Sequence, residues 1–302
     1  MEKAVLNQFR QSVENENLGV YGVHVYKKDA GVAEHRFRSD DYLNINSCSK
    51  TYTAVAVGIC ADAGLLSLED KLVKFFPEYT DIISEGTEAI SIRNLLQMMS
   101  GKNLGESTMD LIHQNTEDMA EIFFKGKMDS APGTEFFYCN LGTYMLGRAV
   151  ERVSGKALRD FLVERLFSKM GMPNPQWMSC ANGHTAAASG LMLKTSQLAM
   201  LGRFLLQEGS WKGEQLLSTD YVKAMHTDVV DTSHFGDSET QCGYGYQVWR
   251  CSVGQAWRAD GLYGQFSIII PEKDAVVTVT SHNERHPYDI IRAIFSDIVP
   301  LI

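Results

Sequence analysis

Residues 45–64 read INSCSKTYTAVAVGICADAG, a polar start followed by a nearly unbroken apolar run. The run predicts a long buried helix over residues 49–63, and Gly64 is the residue type expected to end that helix in a left-handed conformation. Ser47 and Lys50 stand at the head of the helix and, being three residues apart, share one face. No other serine in the chain has a lysine three positions later. The stretch therefore predicts that one serine hydroxyl and one lysine amine meet at the start of a buried helix.

This pair of side chains suggests nucleophilic chemistry. A serine hydroxyl is a weak nucleophile at neutral pH and needs an adjacent base. A lysine that is partly buried loses its proton more readily than one in water, so Lys50 is a candidate for that base. The alternative is that Ser47 only caps the helix and that Lys50 is a solvated first-turn lysine. The apolar run that follows Lys50 favours the first interpretation.

A second polar element is Tyr138-Cys139-Asn140, which stands directly before a predicted helix over residues 141–153. Two side chains at this spacing can point into one cleft from a turn. Tyr138 is then able to relay a proton between the serine and a leaving group, and Asn140 is able to hydrogen-bond the lysine or a substrate amide.

The remaining pattern predicts an α+β fold. Alternating apolar residues before and after residues 27–30 indicate a β-hairpin near the N-terminus, and four further strands are predicted after residue 242. We expect these strands to form one antiparallel sheet, flanked by helices over residues 3–15 and 287–298. The middle of the chain reads as helical, with segments predicted at residues 92–99, 116–124, 141–153, 157–170 and 195–207.

Two domains follow from this arrangement. Residues 1–65 and 210–302 form the predicted sheet domain, residues 66–209 form a mostly helical domain inserted into it, and the active site is expected in the cleft between them.

Composition limits the classes of function. The formal net charge of −9 argues against a nucleic-acid-binding surface, so a small molecule or a short peptide is the expected substrate. No window approaches the roughly 18 apolar residues of a membrane span, and the N-terminus has no leader pattern, which predicts a cytoplasmic protein without a membrane segment. The six cysteines show no C-x-x-C spacing and the eight histidines no H-E-x-x-H, so neither a metal nor another cofactor is expected. The sequence leaves the oligomeric state open.

Several motifs together resemble the family of class C β-lactamases, DD-peptidases and related serine esterases, a β-lactamase-like and penicillin-binding-protein-like family. The resemblance spans nearly the whole chain. It is carried by the S-x-x-K and Y-x-N elements above, by GLLSLED at residues 64–70, by IRNLL at residues 92–96 and by DGLYGQF at residues 260–266.

The resemblance implies a β-lactamase/transpeptidase-like fold and a covalent acyl-enzyme. Ser47 would attack a carbonyl, Lys50 and Tyr138 would act as base and then acid, and water would complete hydrolysis without a metal. The oxyanion hole would consist of the backbone N–H groups of Ser47 and of Leu262, the residue that follows the glycine of the third motif, Gly261.

The third motif also marks a departure from the family. Penicillin-recognising members carry Lys-Thr-Gly or His-x-Gly, where this chain has Ala259-Asp260-Gly261. Ala259 supplies no cation, and Asp260 would repel a substrate carboxylate if it faced the cleft. The alternative is that Asp260 points to solvent or pairs with Arg258. We therefore expect weak or no β-lactam hydrolysis, and an ester or amide with a neutral or cationic group near Asp260 as the better substrate.

Other functions remain open from the sequence. The same residues serve a peptidase acting on D-amino-acid peptides, a β-lactamase, or acyl transfer to an acceptor other than water. A non-enzymatic alternative is a sensor or binding module that is acylated without turning over.

Overall fold

The structure, a computed structural model, describes residues 1–105 and 118–302. The strands within these ranges are β1 (Val20–Lys27), β2 (Gly31–Arg36), β3 (Leu43–Asn44), β4 (Gln176–Trp177), β5 (Leu191–Leu193), β6 (Ser210–Trp211), β7 (Glu214–Gln215), β8 (Trp249–Arg250), β9 (Trp257–Gly261), β10 (Gln265–Ile270) and β11 (Ala275–Ser281). The α-helices in the same two ranges are α1 (Asn7–Asn15), α2 (Ser49–Asp62), α3 (Ile92–Leu96), α4 (Met119–Lys125), α5 (Asn140–Ser154), α6 (Leu158–Leu162), α7 (Thr195–Leu206), α8 (Thr219–Thr227) and α9 (Asp289–Ala293).

The main sheet has six antiparallel strands in the order β2-β1-β11-β10-β9-β8. Strand β1 pairs with β11, so that Val25 lies opposite Val277 at the centre of the sheet. The prediction that the two ends of the chain share one antiparallel sheet is therefore confirmed. Apolar residues on both faces of β10 and β11 are buried, because helices cover both faces of the sheet there.

The two ends of the chain cover one face of the sheet. Helix α1 and helix α9, which continues as a π-helical turn over Ile294–Ile298, pack their apolar sides against Phe266, Ile268 and Val279. The Ser12 hydroxyl donates a hydrogen bond to the Asp297 carboxylate at 2.7 Å, which ties the two terminal helices together.

Helix α7 packs against the opposite face, on strands β1, β10 and β11. Its glycine makes this close approach possible. A methyl group at Gly202 would lie 2.4 Å from Ser267 Oγ and 2.5 Å from a methyl carbon of Val276, both on sheet strands. The helix therefore lies against the sheet at a distance that no larger residue allows.

Helix α2 is buried on every side from Ser49 to Cys60. It contacts helix α5 in the middle of the chain and strand β9 at the edge of the sheet. A helix that is apolar all round belongs in the interior, and Gly64 follows its end with a φ of +68°, as expected for a left-handed cap.

Several predicted boundaries are wrong. The first of the four strands predicted after residue 242 spans residues 244–251, but only β8, Trp249–Arg250, forms there. Residues 244–248 stay outside the sheet because Gln247 has a φ of +58° and its backbone N–H donates to the Leu96 carbonyl. The helix predicted over residues 157–170 is α6 followed by a π-helical turn over Val163–Phe167. The first two residues of the helix predicted over residues 116–124 lie outside the described residues. The described part of that prediction corresponds to α4.

The two-domain division stays a prediction. The packing of α7 bears on its boundary, because this helix falls within the predicted helical domain and yet buries Leu198, Leu201 and Leu205 in the same core as Ile269 and Val276 of the sheet. Within residues 1–105 and 118–302, no helix combines the length and apolar character that crossing a membrane requires.

Two glycine-to-alanine changes test the packing of α7. We expect Gly202→Ala to lower the free energy of unfolding by about 1–3 kcal/mol, because the added methyl overpacks a well-filled interface. Gly142→Ala, in α5, meets its nearest neighbour, Leu95, at an ordinary 3.5 Å. We expect that change to leave stability unaltered or to raise it by up to about 1 kcal/mol, because alanine favours helix. Urea unfolding followed by circular dichroism measures both. Equal losses for the two variants would contradict the proposed close approach.

Candidate active site

Ser47 lies on a single 3-10 turn, Asn46–Cys48, that leads directly into α2. Asn46 has a φ of +49°, a left-handed conformation that asparagine tolerates better than most residues. Its backbone N–H donates to Asn44 Oδ1 at 2.9 Å, and its side-chain amide donates to the Leu262 carbonyl at 3.0 Å. The turn is thus fixed from two sides, and it leaves Ser47 partly exposed.

Lys50 is buried, with 1% of its surface exposed. Its Nζ lies 2.8 Å from Ser47 Oγ and donates to the Ala188 carbonyl at 2.9 Å. The helical spacing of three residues therefore does bring the amine to the hydroxyl. Burial raises the free energy of an ammonium ion, and the contacts with these two oxygens offset part of that cost.

Tyr138 lies beside this pair, with its ring centre 5.0 Å from Lys50 Nζ. Its ring stacks on Trp249 at 5.9 Å with an interplanar angle of 20° and meets Tyr244 edge-on. Asn140 is the first residue of α5 and is buried. The structure thus brings Ser47, Lys50 and Tyr138 together at the head of α2, while the chemical role of each stays a prediction.

Gly261 and Leu262 lie against the serine turn. Strand β9 ends at Gly261, where a methyl group would lie 2.4 Å from the Ile45 carbonyl oxygen and 3.3 Å from the Cys48 nitrogen. Only glycine allows the strand to approach so closely. Leu262 follows with 59% of its surface exposed. That its N–H is the second oxyanion donor stays a prediction.

Asp260 is paired with Arg258, as in one of the two alternatives left open by the sequence. The Arg258 Nε donates to Asp260 Oδ2 at 2.8 Å, and the Asp260 side chain is 10% exposed. Burial raises the pKa of the Asp260 carboxyl, and Arg258 acts in the opposite direction. Arg258 is fully buried and also donates to the Arg250 and Glu239 carbonyls. A buried guanidinium needs a counter-charge, which Asp260 provides at 2.8 Å together with the buried Glu239 carboxylate at 3.8 Å.

Ala259, at the position of the family's cation, is fully buried. It supplies neither a charge nor a hydroxyl to a bound substrate. Any contact of Asp260 with a substrate stays a prediction.

The sequence missed the backbone that holds Lys50. The Ala187 carbonyl accepts a hydrogen bond from Thr53 Oγ1 at 2.9 Å, and the next carbonyl, that of Ala188, accepts from Lys50. Ala187 has a φ of +59°, which is unusual for a residue with a side chain. Two consecutive alanines carry no recognisable signal for this role, because the contacts are made by the main chain.

A buried glutamine is a second residue that the sequence did not indicate. Gln247 accepts a hydrogen bond from Thr143 Oγ1 at 2.7 Å, and its amide donates to the Leu95 and Leu96 carbonyls. Its own carbonyl accepts from Thr51 Oγ1 at 2.9 Å. The residue therefore joins helices α2, α3 and α5 around the serine and lysine.

The aromatic residues near Tyr138 pack in the interior. Tyr244 and Trp249, which contact the Tyr138 ring, are both buried. Phe235, which the sequence did not single out, is half-buried and stacks on Trp249 at 5.6 Å. Over the described parts of the chain, no group of three or more histidine, cysteine or acidic side chains is arranged to hold a metal ion.

Known proteins with similar sequences include a penicillin-binding protein and a hydrolase. Penicillin-binding protein 4 of Amycolatopsis lactamdurans is 29% identical over 154 residues, 49% of this chain but only 38% of that protein. The 6-aminohexanoate-dimer hydrolase of Paenarthrobacter ureafaciens is 22% identical over 288 residues, 87% of this chain and 72% of that protein.

A solved structure shares the fold. The octameric penicillin-binding protein homologue from Pyrococcus abyssi superposes with a TM-score of 0.72 at 21% identity, covering 100% of this chain and 78% of that one. The predicted β-lactamase/transpeptidase-like fold is confirmed. The family model described as "Beta-lactamase" matches residues 11–297. With the serine and lysine of its signature motif in contact and this model matched over nearly the whole sequence, the chain belongs to the beta-lactamase family.

Proposed function

We propose that this protein is a serine hydrolase that forms a covalent acyl-enzyme at Ser47 with an ester or an amide. The observation that carries the proposal is the contact of 2.8 Å between Ser47 Oγ and the amine of the buried Lys50. Burial disfavours the ammonium form of a lysine, and a neutral amine at this distance can accept the serine proton. The relative described as a 6-aminohexanoate-dimer hydrolase supports hydrolysis as the class of reaction.

The proposed reaction has two halves. In the first, the Ser47 proton passes to Lys50 Nζ as Oγ attacks the substrate carbonyl, and Tyr138 donates a proton to the departing alcohol or amine. The N–H groups of Ser47 and Leu262 stabilise the negative oxygen of the tetrahedral intermediate. In the second half, water gives a proton to the Tyr138 phenolate as it attacks the acyl carbonyl. The bond between that carbonyl and Ser47 Oγ then breaks, Lys50 returns its proton to Oγ, and the acid is released.

The surroundings of the serine favour a substrate that is neutral near the third motif. Ala259 supplies no cation for a substrate carboxylate, and the Asp260 carboxylate is already bonded to Arg258. Leu262, exposed beside the serine turn, offers an apolar contact instead. An ester or amide with an uncharged acyl group fits these features better than a β-lactam, whose carboxylate would have no such partner.

Substitution of the serine and the lysine tests the chemistry. We expect Ser47→Ala to abolish labelling by a fluorophosphonate probe, because the nucleophilic oxygen is absent. We expect Lys50→Met to lower kcat for a short-chain nitrophenyl ester by about 100- to 10,000-fold, the range for removal of a general base. Intact-protein mass spectrometry measures the labelling, and initial rates measure the turnover.

Exposed residues of the same types provide the controls. Ser168→Ala and Lys74→Met remove a hydroxyl and an amine at the surface, and both variants should retain labelling and turnover. Persistent labelling of Ser47→Ala would refute Ser47 as the nucleophile. Labelling of the wild type without turnover of any ester or amide would instead favour the sensor.

A comparison of substrates tests the inference about the third motif. We expect kcat/KM for a cephalosporin to be at least about 10- to 100-fold below that for a nitrophenyl butyrate. The factor corresponds to the roughly 1.5–3 kcal/mol of one missing charged hydrogen bond. Steady-state assays of both substrates, with Ser47→Ala as the background, give the ratio. Efficient cephalosporin hydrolysis would contradict the inference.

A further inference from the structure

An aromatic wall, formed by Tyr138 and Phe235, lies beside the serine and lysine. Both rings stack on Trp249, with ring centres 5.9 and 5.6 Å from it and interplanar angles of 20° and 28°. The centres of the Tyr138 and Phe235 rings are 6.1 Å apart. Trp249 is buried, whereas Tyr138 and Phe235 are each half-buried. The two outer rings therefore present a continuous apolar surface that begins at Tyr138, next to Lys50, and continues to Phe235.

Buried rings support the Phe235 side of this wall. Phe136 meets the Phe235 ring edge-on, with ring centres 5.4 Å apart. Phe136 is 3% exposed and also contacts Trp249 at 5.7 Å. Rings packed against one another in offset and edge-on arrangements hold each other in place. The aromatic wall is therefore formed before any substrate binds.

The backbone of the loop that carries Phe235, residues 231–241, is also fixed. The Phe235 N–H donates to the Thr232 carbonyl at 2.9 Å, and the Phe235 carbonyl accepts from Thr240 Oγ1 at 3.2 Å. Thr232 is fully buried, and its Oγ1 accepts from the Gly243 N–H at 2.9 Å. A loop whose backbone groups are satisfied internally presents its side chain to a ligand without a large cost of ordering.

Charged residues attach this loop to neighbouring elements. Arg292, in α9, donates two hydrogen bonds to the Asp237 carboxylate, at 2.8 and 2.9 Å. The buried Arg258 guanidinium donates to the Glu239 carbonyl at 3.1 Å and lies 3.8 Å from the carboxylate of the same residue. Both carboxylates are thus engaged by arginines, so the loop contributes the apolar ring of Phe235 to the aromatic wall rather than a negative charge.

The place of the wall in the proposed reaction indicates which part of a substrate it contacts. Tyr138 donates a proton to the departing alcohol or amine in that reaction, so the leaving group lies next to the Tyr138 hydroxyl. A ring attached close to the departing atom would then lie within reach of Phe235, whose ring is the neighbour of Tyr138 in the wall. Such a ring can stack on Phe235 or meet it edge-on, as the protein's own rings do.

From these contacts we infer that Phe235 is a specificity-determining residue that selects esters and amides with an aromatic leaving group. The inference rests on the proposed function, because the wall meets the leaving group only if Tyr138 protonates it. An aromatic leaving group that packs against the wall removes apolar surface from water and gains ring–ring contacts, whereas an ethyl group gains much less. Phe235 transfers no proton, so its effect is a preference between substrates.

Benzyl butyrate and ethyl butyrate, which share an acyl group, test this preference. We expect Phe235→Ala to lower kcat/KM for the benzyl ester about 5- to 30-fold more than for the ethyl ester, because the leaving-group ring loses its apolar partner. Phe235→Leu should retain part of the preference, since leucine keeps much of the apolar surface. The comparison of two esters within each variant cancels their different intrinsic reactivities.

Phe295→Ala is the matched control. Phe295 is also half-buried, but it packs against the core that the terminal helices form with the sheet. This variant removes a comparable ring and should keep the wild-type ratio of the two esters. Equal losses for both esters in Phe235→Ala would overturn the inference, because they would show that the loop only supports Tyr138. An unchanged ratio would overturn it as well.

Failure of the proposed function is recognised separately. Wild-type protein that turns over neither ester would contradict the proposed function, and the contact with the ring is then measured on its own. Saturation-transfer NMR on the Ser47→Ala variant, which cannot be acylated, reports how closely the benzyl protons of benzyl butyrate approach the protein. We expect that signal to fall at least about threefold when Phe235→Ala is added and to persist when Phe295→Ala is added. Equal signals in these two double variants would overturn the contact with Phe235.

Discussion

Lys50 carries its amine into the interior at the head of α2, between the Ser47 hydroxyl and the Ala188 carbonyl. A buried lysine is costly, and the surrounding structure has to supply polar partners for it. Helix α2 places the Lys50 side chain next to Ser47, and the Ala188 carbonyl accepts a hydrogen bond from its amine. The chemistry proposed for this protein depends on that amine being held, partly desolvated, against a single hydroxyl.

The sheet and the helices hold this position from different directions. Strand β9 reaches the serine turn because Gly261 has no side chain to collide with the Ile45 carbonyl. Asn46 then joins the turn to Leu262. On the helical side, Gln247 binds α2 to α3 and α5 through hydrogen bonds from both its side chain and its main chain. Close packing without voids lets these few contacts fix the serine, lysine and tyrosine relative to one another.

The third motif is the part of the site in which this chain departs from the family pattern. Asp260 directly follows the position at which the family carries its cation. Its carboxylate forms an ion pair within the protein, with the fully buried Arg258. Arg258 also binds the Glu239 carbonyl, so the pair joins the edge of the sheet to the loop that contains Phe235. Membership of the family does not decide the substrate, and these replacements bear on what the proposed site can bind.

The sequence by itself determined the antiparallel sheet shared by both ends of the chain and the buried helix after Ser47. It also determined that Lys50 would meet the serine. These features depend on local rules, since alternation marks a strand and a spacing of three residues places two side chains on one face of a helix. The tertiary structure alone decided that Asp260 pairs with Arg258, that Phe235 stacks beside Tyr138, and that the Ala188 carbonyl holds the amine. The Asp260–Arg258 pair joins near neighbours, but it depends on the burial of Arg258 by the rest of the fold. The other two contacts join residues far apart in sequence, and the Ala188 contact is made by a backbone group that every residue possesses, so no residue type marks it.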